Sequence, residues 1–404
     1  MSQPRPSFAP VSNGAVLALA VLILFARRPD AFLHPQFWAE DFLFFVDAER
    51  YGIKSLVMPI VGYLHLIPRT IAWLSAPWDP LLQPILYTLG SLGVVMVVLL
   101  GCLSTRHDLP WKPLLALAVV LVPHSGEVFF NPTNTQWIAA LTLLLVACKR
   151  DPTTRLQTAT DVGTLVFAGL SGPFSIFALP GFALRAWQRR SHSSFVYLGV
   201  SAITAAIQLA CILILPSFPE FTGEFSSIKL LTIISYRLPF TLYLGVAATT
   251  QLGPIVPIGF AVLVLGLFAA ASARLRENRL ELTFLVLFIA TLLVATTFKK
   301  RFDLWNFGDL SNGDRYFFIP KVVILWISII LASQSTHQRL RKLLLVLTLA
   351  GLVLNLPRFS FAPFKIHPWY SLCPDIRQGK KIEIKINPGW TFRYQRNRHF
   401  EGPY

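Results

Sequence analysis

Charge is what this sequence has least of: Asp, Glu, Lys and Arg make up 14% of its 404 residues, against 54% hydrophobic. With a mean hydropathy of +0.57, the chain has too little polar surface to coat a water-soluble fold of this length. Acids are scarcer than bases, 20 against 36. The basic surplus does not describe a nucleic-acid surface, because no stripe of cations with interleaved aromatics falls on a soluble stretch. Four cysteines give no disulfide framework, since Cys102, Cys148 and Cys211 lie in or near apolar runs and Cys373 stands alone. Internal repeats, long low-complexity tracts, a Walker A loop, a dinucleotide fingerprint and Cys/His metal spacing are all missing, which removes the nucleotide-binding and zinc classes.

What is present is a series of apolar runs long enough to cross a bilayer core of about 30 Å as helices. Strong runs lie near 11–26, 81–104, 195–215, 254–273, 282–298, 316–333 and 343–356, and weaker ones near 114–123, 135–148, 161–184 and 230–250. The expectation is an all-α polytopic transmembrane bundle over residues 1–356, with roughly nine to eleven membrane segments, some re-entrant. A small β-containing C-terminal appendage over 357–404 completes it, because Lys381-Ile382-Glu383-Ile384-Lys385-Ile386 alternates like a strand and Asn387-Pro388-Gly389 reads as a turn. Arg27-Arg28-Pro29 follows the first run with no small-residue cleavage site, so that run reads as an uncleaved helix rather than a secretory signal.

Two runs are interrupted. Gly169-Leu170-Ser171-Gly172-Pro173-Phe174 divides 161–184 into either one kinked helix or a re-entrant pair, and the basic cluster that follows favours the pair. Arg237 and Pro239 break 230–250 in the same way.

Basic residues recur in the short connections 105–113, 149–160, 185–194, 274–281 and 334–342, which the positive-inside rule places in the cytoplasm. Most acids then fall on the other side, where about 27–80, 299–315 and the tail from 357 are long enough to build something. Recognition or chemistry is therefore expected on the extracytoplasmic face of a bacterial inner membrane.

Trp38-Ala39-Glu40-Asp41 stands out in the first of these loops, because ionised carboxylates beside hydrocarbon are costly and are functional-site candidates. One account is structural: Asp41 to Tyr51 suits a short interfacial helix ended by Gly52, with Glu40 and Asp41 stabilised at its N-terminus. The other is a catalytic base.

Trp38-Ala39-Glu40-Asp41 after the first helix, with Gly62-Tyr63-Leu64 and Pro68-Arg69 beyond it, resembles the GT-C superfamily of polytopic membrane glycosyltransferases. The resemblance implies sugar transfer from a polyprenyl-phosphate carrier to a glycan, lipid or protein acceptor at the outer face of the membrane. It makes Asp41 the expected base and Glu40 its partner, orienting it, binding acceptor hydroxyls or holding a divalent cation such as Mg or Mn. Metal use stays open, since two acids do not make a site.

A lipid phosphate leaving group calls for fixed cations. Candidates are Arg27 and Arg28, which oppose positive-inside, Arg69 beside Tyr63 and His65, the cluster Lys299-Lys300-Arg301, and Arg315, with the arginines favoured for bidentate phosphate binding. Snorkelling at the interface is the alternative for each. His124, Glu127 and Asn134 are candidate sugar contacts with Trp137 stacking on the ring, or else parts of helix caps. A transporter or flippase for a lipid-linked glycan, with Gln208, Arg237 and Lys321 lining a pathway, and a non-catalytic membrane scaffold are the competing classes.

Overall fold

The computed structural model describes residues 12–215, 227–245, 253, 255–273, 275, 277–299, 313–396 and 399–401. The first helix, α1 (Asn13–Arg27), begins where the Ser12 hydroxyl accepts from the Ala15 N–H at 3.2 Å. The loop that follows holds α2 (Asp30–Leu33), α3 (Asp41–Tyr51) and α4 (Leu66–Ser75). Next come α5 (Gln83–Leu103), α6 (Lys112–Leu121), α7 (Thr135–Cys148), α8 (Arg155–Gly169), α9 (Phe174–Arg189) and α10 (His192–Ile214). The remaining helices are α11 (Ser227–Ser235), α12 (Thr241–Leu244), α13 (Ile255–Ser272), α14 (Arg279–Lys299), α15 (Arg315–Gln334), α16 (Gln338–Leu354) and α17 (Trp369–Arg377). A three-stranded antiparallel meander, β1 (Ile382–Ile386), β2 (Trp390–Gln395) and β3 (His399–Glu401), closes the chain.

Among the described residues, four helices are long and apolar enough to cross a membrane by length and composition: Pro80–Leu103, His192–Ile214, Ile255–Ser272 and Arg315–Gln334. Every residue of α7 is buried, and most of α15 is too, so these two form the centre of the helical body. The surrounding helices turn aliphatic side chains outward, with Leu213, Ile214, Ile255 and Leu263 more than two-thirds exposed. Apolar faces point both in and out, which reverses the usual polar exterior.

The break at Gly169–Phe174 is a hairpin and not a kink. Both arms return to Lys149: Asp161 of α8 accepts from its ammonium at 2.9 Å, and Arg185 of α9 donates to its carbonyl at 2.6 Å. At the turn, Gln208 of α10 behaves like a missing peptide unit. Its Oε1 accepts from Leu64 N–H (2.9 Å) and its Nε2 donates to the carbonyls of Leu64 (3.2 Å) and Gly172 (3.0 Å). The irregular backbone is thereby satisfied inside protein, as buried polar groups require. The second interruption is a π-turn at Tyr236–Phe240, containing Pro239, between α11 and α12.

The strand reading of the tail holds, but the tail is no separate appendage. Ile384, Ile386, Phe392 and Tyr394 face inward from alternating positions and share one core with Phe42, Phe45 and Trp369. Phe42 meets Phe392 and Tyr394 at ring-centroid distances of 5.1 and 5.5 Å. Helix α3 is accordingly not an interfacial helix with one face in lipid, for Phe42, Leu43, Phe44, Phe45 and Val46 are all buried beneath the sheet and α4.

Candidate active site

The site is built where the tail grips the start of α3. Ala39 N–H donates to the Asn387 carbonyl at 2.6 Å, and Asn387 N–H to that of Phe37 at 3.3 Å. The Asn387 side chain is itself locked, exchanging 2.9 Å bonds with the Lys365 backbone in both directions. Between these clamps Ala39 takes φ = 44°, a left-handed conformation rare outside glycine and kept when surrounding contacts enforce it. The turn sends two adjacent carboxylates to different places.

Asp41 goes into the protein. Its Oδ1 accepts from the Thr133 N–H (2.9 Å) and hydroxyl (2.7 Å), and its Oδ2 from Trp38 N–H (3.0 Å). The group is completely buried. Burial pushes its pKa up to about 7 against these three donors, with the nearby Glu40 charge adding to the rise. With its oxygens occupied, Asp41 is not open to an acceptor hydroxyl.

Glu40 goes the other way and remains partly accessible. Among the described residues no other side chain hydrogen-bonds its carboxylate. Burial raises its proton affinity, its own backbone N–H and Arg315 oppose the rise, and Glu127 adds to it. Arg315 donates to Glu127 Oε1, while Glu127 Oε2 is buried without a hydrogen-bond partner. Beside this group stands the Tyr63 hydroxyl, which senses Tyr316, Arg315, Gln136 and Glu40 and whose pKa is raised chiefly by burial. Its ring stacks on His65 at 4.5 Å, and His65 Nδ1 donates to the Tyr63 carbonyl at 3.2 Å. The structure thus brings together Glu40, Tyr63, His65, Glu127 and Arg315 from segments far apart in sequence, with Gln136 and Tyr316 alongside.

A second, fully buried cluster supports that wall. Asp314 accepts from Lys321 Nζ (2.8 Å) and Ser125 N–H (2.7 Å) and faces His124 Nε2 at 3.5 Å. Burial acts to raise the Asp314 pKa, but His124, Lys321 and the Ser125 N–H outweigh it and hold the carboxyl at about 2. His124 Nδ1 accepts from Gly126 N–H at 2.9 Å, and burial holds the ring neutral, with a pKa of about 4. Its proton therefore sits on Nε2, toward Asp314. Sequence reasoning assigned no role to Asp314 or Tyr316, saw Gln136 only as part of a polar turn, and gave Lys321 another role. The one usable signal was an acid directly before Arg315 at the start of an apolar run.

Several expected cations are engaged elsewhere. Arg69, 1% exposed, donates through NH1 and NH2 to one oxygen of Asp47, both at 3.1 Å, and lies over the Phe44 ring. Arg27, also 1% exposed, donates to the carbonyls of Phe359 (2.9 Å), Val120 (2.5 Å) and Val122 (3.1 Å). Arg28 is sandwiched toward Phe361 and Phe364, 5.3 and 4.3 Å from their ring centroids, and donates to Gly126 O at 3.4 Å. Arg27 and Arg69 are thus engaged by the protein itself, and Arg28 is buried between aromatic rings with one long backbone bond. Asn134 donates to the Glu127 carbonyl at 2.9 Å and so ties the turn together rather than reaching outward; the side-chain cap here is Asn131, whose Oδ1 accepts from Asn134 N–H at 2.9 Å. Trp137 is edge-packed by Phe174 (4.9 Å) and Tyr316 (5.1 Å) and is 7% exposed, so its ring is not a sugar platform. The Lys299 side chain, Lys300 and Arg301 lie outside the described residues.

The donor set does not fit the expected cation between Glu40 and Asp41, since Asp41 meets three hydrogen-bond donors. Among the described residues no group of three or more His, Cys, Asp or Glu side chains converges.

The sequence matches no family model, and the comparisons with curated proteins and with solved structures gave no match.

Proposed function

We propose that the protein is a membrane-embedded glycosyltransferase of the GT-C type, moving a sugar from a polyprenyl-phosphate carrier to an envelope acceptor. The membrane-length helices and outward aliphatic faces support a polytopic bundle in the inner membrane. The basic connections lie at the end opposite the Glu40 group, which supports an extracytoplasmic site.

The observation that carries the reading is the pair of neighbours Glu40 and Asp41. One is tied into the protein by three donors, and the other is presented, lightly solvated, toward Arg315 and Glu127. Glu40 takes the role of base, and Asp41 holds the turn. The acceptor hydroxyl oxygen bonds to the anomeric carbon as the carbon–oxygen bond to the lipid phosphate breaks. Glu40 accepts the hydroxyl proton, and the bonding pair leaves with the phosphate. Arg315, whose side chain keeps 36% exposure while paired to Glu127, offers its remaining N–H groups to the charge developing on that phosphate. Attack opposite the leaving group inverts the anomeric centre.

A pathway for transport finds less support, because Gln208 is saturated by the backbone of Leu64 and Gly172 and Lys321 is paired with Asp314. The test is the mass profile of membrane glycolipids from cells with and without the chain. Transfer predicts that one product loses a hexose, deoxyhexose or pentose mass when the chain is removed. An unchanged set of masses with altered sidedness would overturn transfer in favour of translocation.

A further inference from the structure

Helix α15 opens with an acid that does not cap it. Asp314 holds the N-cap position, where an Asp side chain ordinarily accepts from an amide two or three residues on, yet it makes no such bond. Its carboxylate crosses instead to the turn between α6 and α7. Oδ2 accepts from the Ser125 N–H at 2.7 Å, and Oδ1 from Lys321 Nζ at 2.8 Å. Lys321 also donates to the Pro123 carbonyl at 3.1 Å, so the pair holds the backbone on both sides of His124. The side chains of Asp314 and Lys321 keep only 5% and 7% exposure, which leaves neither placed to touch a substrate.

The exposed charge belongs to the next residue. Arg315 follows Asp314, and its partner Glu127 lies two residues beyond Ser125, so consecutive residues at the start of α15 hold one short turn at two points. The rest of that turn has little freedom. Gly126, at φ = 85°, leaves no room for a Cβ, which would run into the Phe361 ring, and its N–H donates to His124 Nδ1 at 2.9 Å. The Glu127 carbonyl receives the side chains of Asn131 and Asn134, both at 2.9 Å. An arginine side chain is long and rich in rotamers, and ordering it opposes binding. Here its backbone is anchored through Asp314 and its guanidinium through Glu127, and a cation fixed beforehand stabilises developing charge without reorganising.

We infer that Asp314 is a positioning residue for sugar transfer: through Ser125 and Lys321 it fixes the turn that carries Glu127, and so holds the Arg315 guanidinium where charge develops on the leaving phosphate. The inference rests on the transferase reading above. Its signature is coupling: the loss caused by removing Asp314 passes through Arg315, whereas losses at two independent sites would multiply.

The experiment combines Asp314→Asn together with Lys321→Met, which removes both buried charges and leaves neither alone, with Arg315→Lys, and reads the sugar-bearing glycolipid per folded protein. The Asp314 and Lys321 changes are expected to lower transfer on the order of 10- to 10²-fold, the effect of a small misplacement of a catalytic group. Added to Arg315→Lys, they should take product less than about twofold below Arg315→Lys alone, the margin within which an independent effect would have shown itself. A combined loss equal to the product of the separate losses, or full product from the Asp314 and Lys321 changes beside a loss in Arg315→Lys, would overturn the positioning role. Hydrogen exchange of the full-length wild-type protein in detergent tests the clamp without any variant. The Ser125 amide is expected to exchange at least about 10²-fold more slowly than an unprotected amide, and unprotected exchange there would overturn the clamp. Full product from both Glu40→Gln and Arg315→Lys would defeat the transferase reading and the positioning role with it, while the exchange measurement would still decide the Ser125 clamp.

Discussion

Two acids at opposite ends of the helical body, Asp161 and Glu40, are met in opposite ways. At the basic end, Asp161 is completely buried and accepts from Lys149 (2.9 Å) and Tyr197 (2.5 Å), with Arg106 2.6 Å away. Nearby, Arg185 is divided among the carbonyls of Ala147 and Lys149 and the Asp151 carboxylate. Two cations meet one acid there, and the result is a bolt between helices. At the other end, Glu40 and Glu127 share Arg315, and Asp41 is met only by neutral donors. Burial raises the proton affinity of Glu40, and the neighbouring Glu127 charge adds to the rise against the pull of Arg315, which suits a base and not a structural tie.

That contrast can be broken or sharpened by substitution. Glu40→Gln should have the largest effect, lowering transfer on the order of 10²–10⁴-fold at unchanged membrane abundance, the usual worth of a positioned base. Asp161→Asn should do the reverse, leaving Arg106 and Lys149 under-compensated and removing about 3–5 kcal/mol of stability, with transfer per folded molecule unchanged. Thermal unfolding in detergent, read beside glycolipid yield, separates the two. Arg315→Lys keeps the charge but loses the planar fork, and should lower transfer by on the order of 10²-fold, the lower range for a lost charge-stabilising donor.

Asp41 gives a pH signature. Its folded-state pKa of about 7 lies above the ordinary unfolded value of about 4. Its stability contribution is then fully present below about pH 4 and is lost as pH rises through about 7, with a slope of at most about 1.4 kcal/mol per unit. Asp41→Asn should flatten that part of the stability–pH curve; a curve that keeps its slope would remove Asp41 as the titrating group. Trp137→Phe should matter least, costing about 0.5–1.5 kcal/mol of aromatic packing with no change in donor dependence.

Much of the helix layout was legible because long apolar runs dictate helices wherever backbone groups must be satisfied without water. The run at 135–148 became α7 residue for residue, and the alternation at Lys381–Ile386 became β1. The acidic pair was legible as a place but not as a division of labour. Which carboxylate turns inward depends on the left-handed Ala39, held by Asn387 from the far end of the chain, and on Thr133, 92 residues from Asp41. No local pattern encodes either contact. The same distance effect misplaced the arginines: Arg27 opposes the positive-inside tendency because carbonyls at 120, 122 and 359 receive it, not because a phosphate does.

The assignment of Glu40 rather than Asp41 as the base is tested most directly by complementing cells that lack the chain with Glu40→Gln or Asp41→Asn. The sugar-bearing glycolipid is then quantified per folded protein in the membrane. Loss of the product with Glu40→Gln, and near wild-type product per folded molecule with Asp41→Asn, is the predicted result. Full product from Glu40→Gln at normal abundance would contradict it.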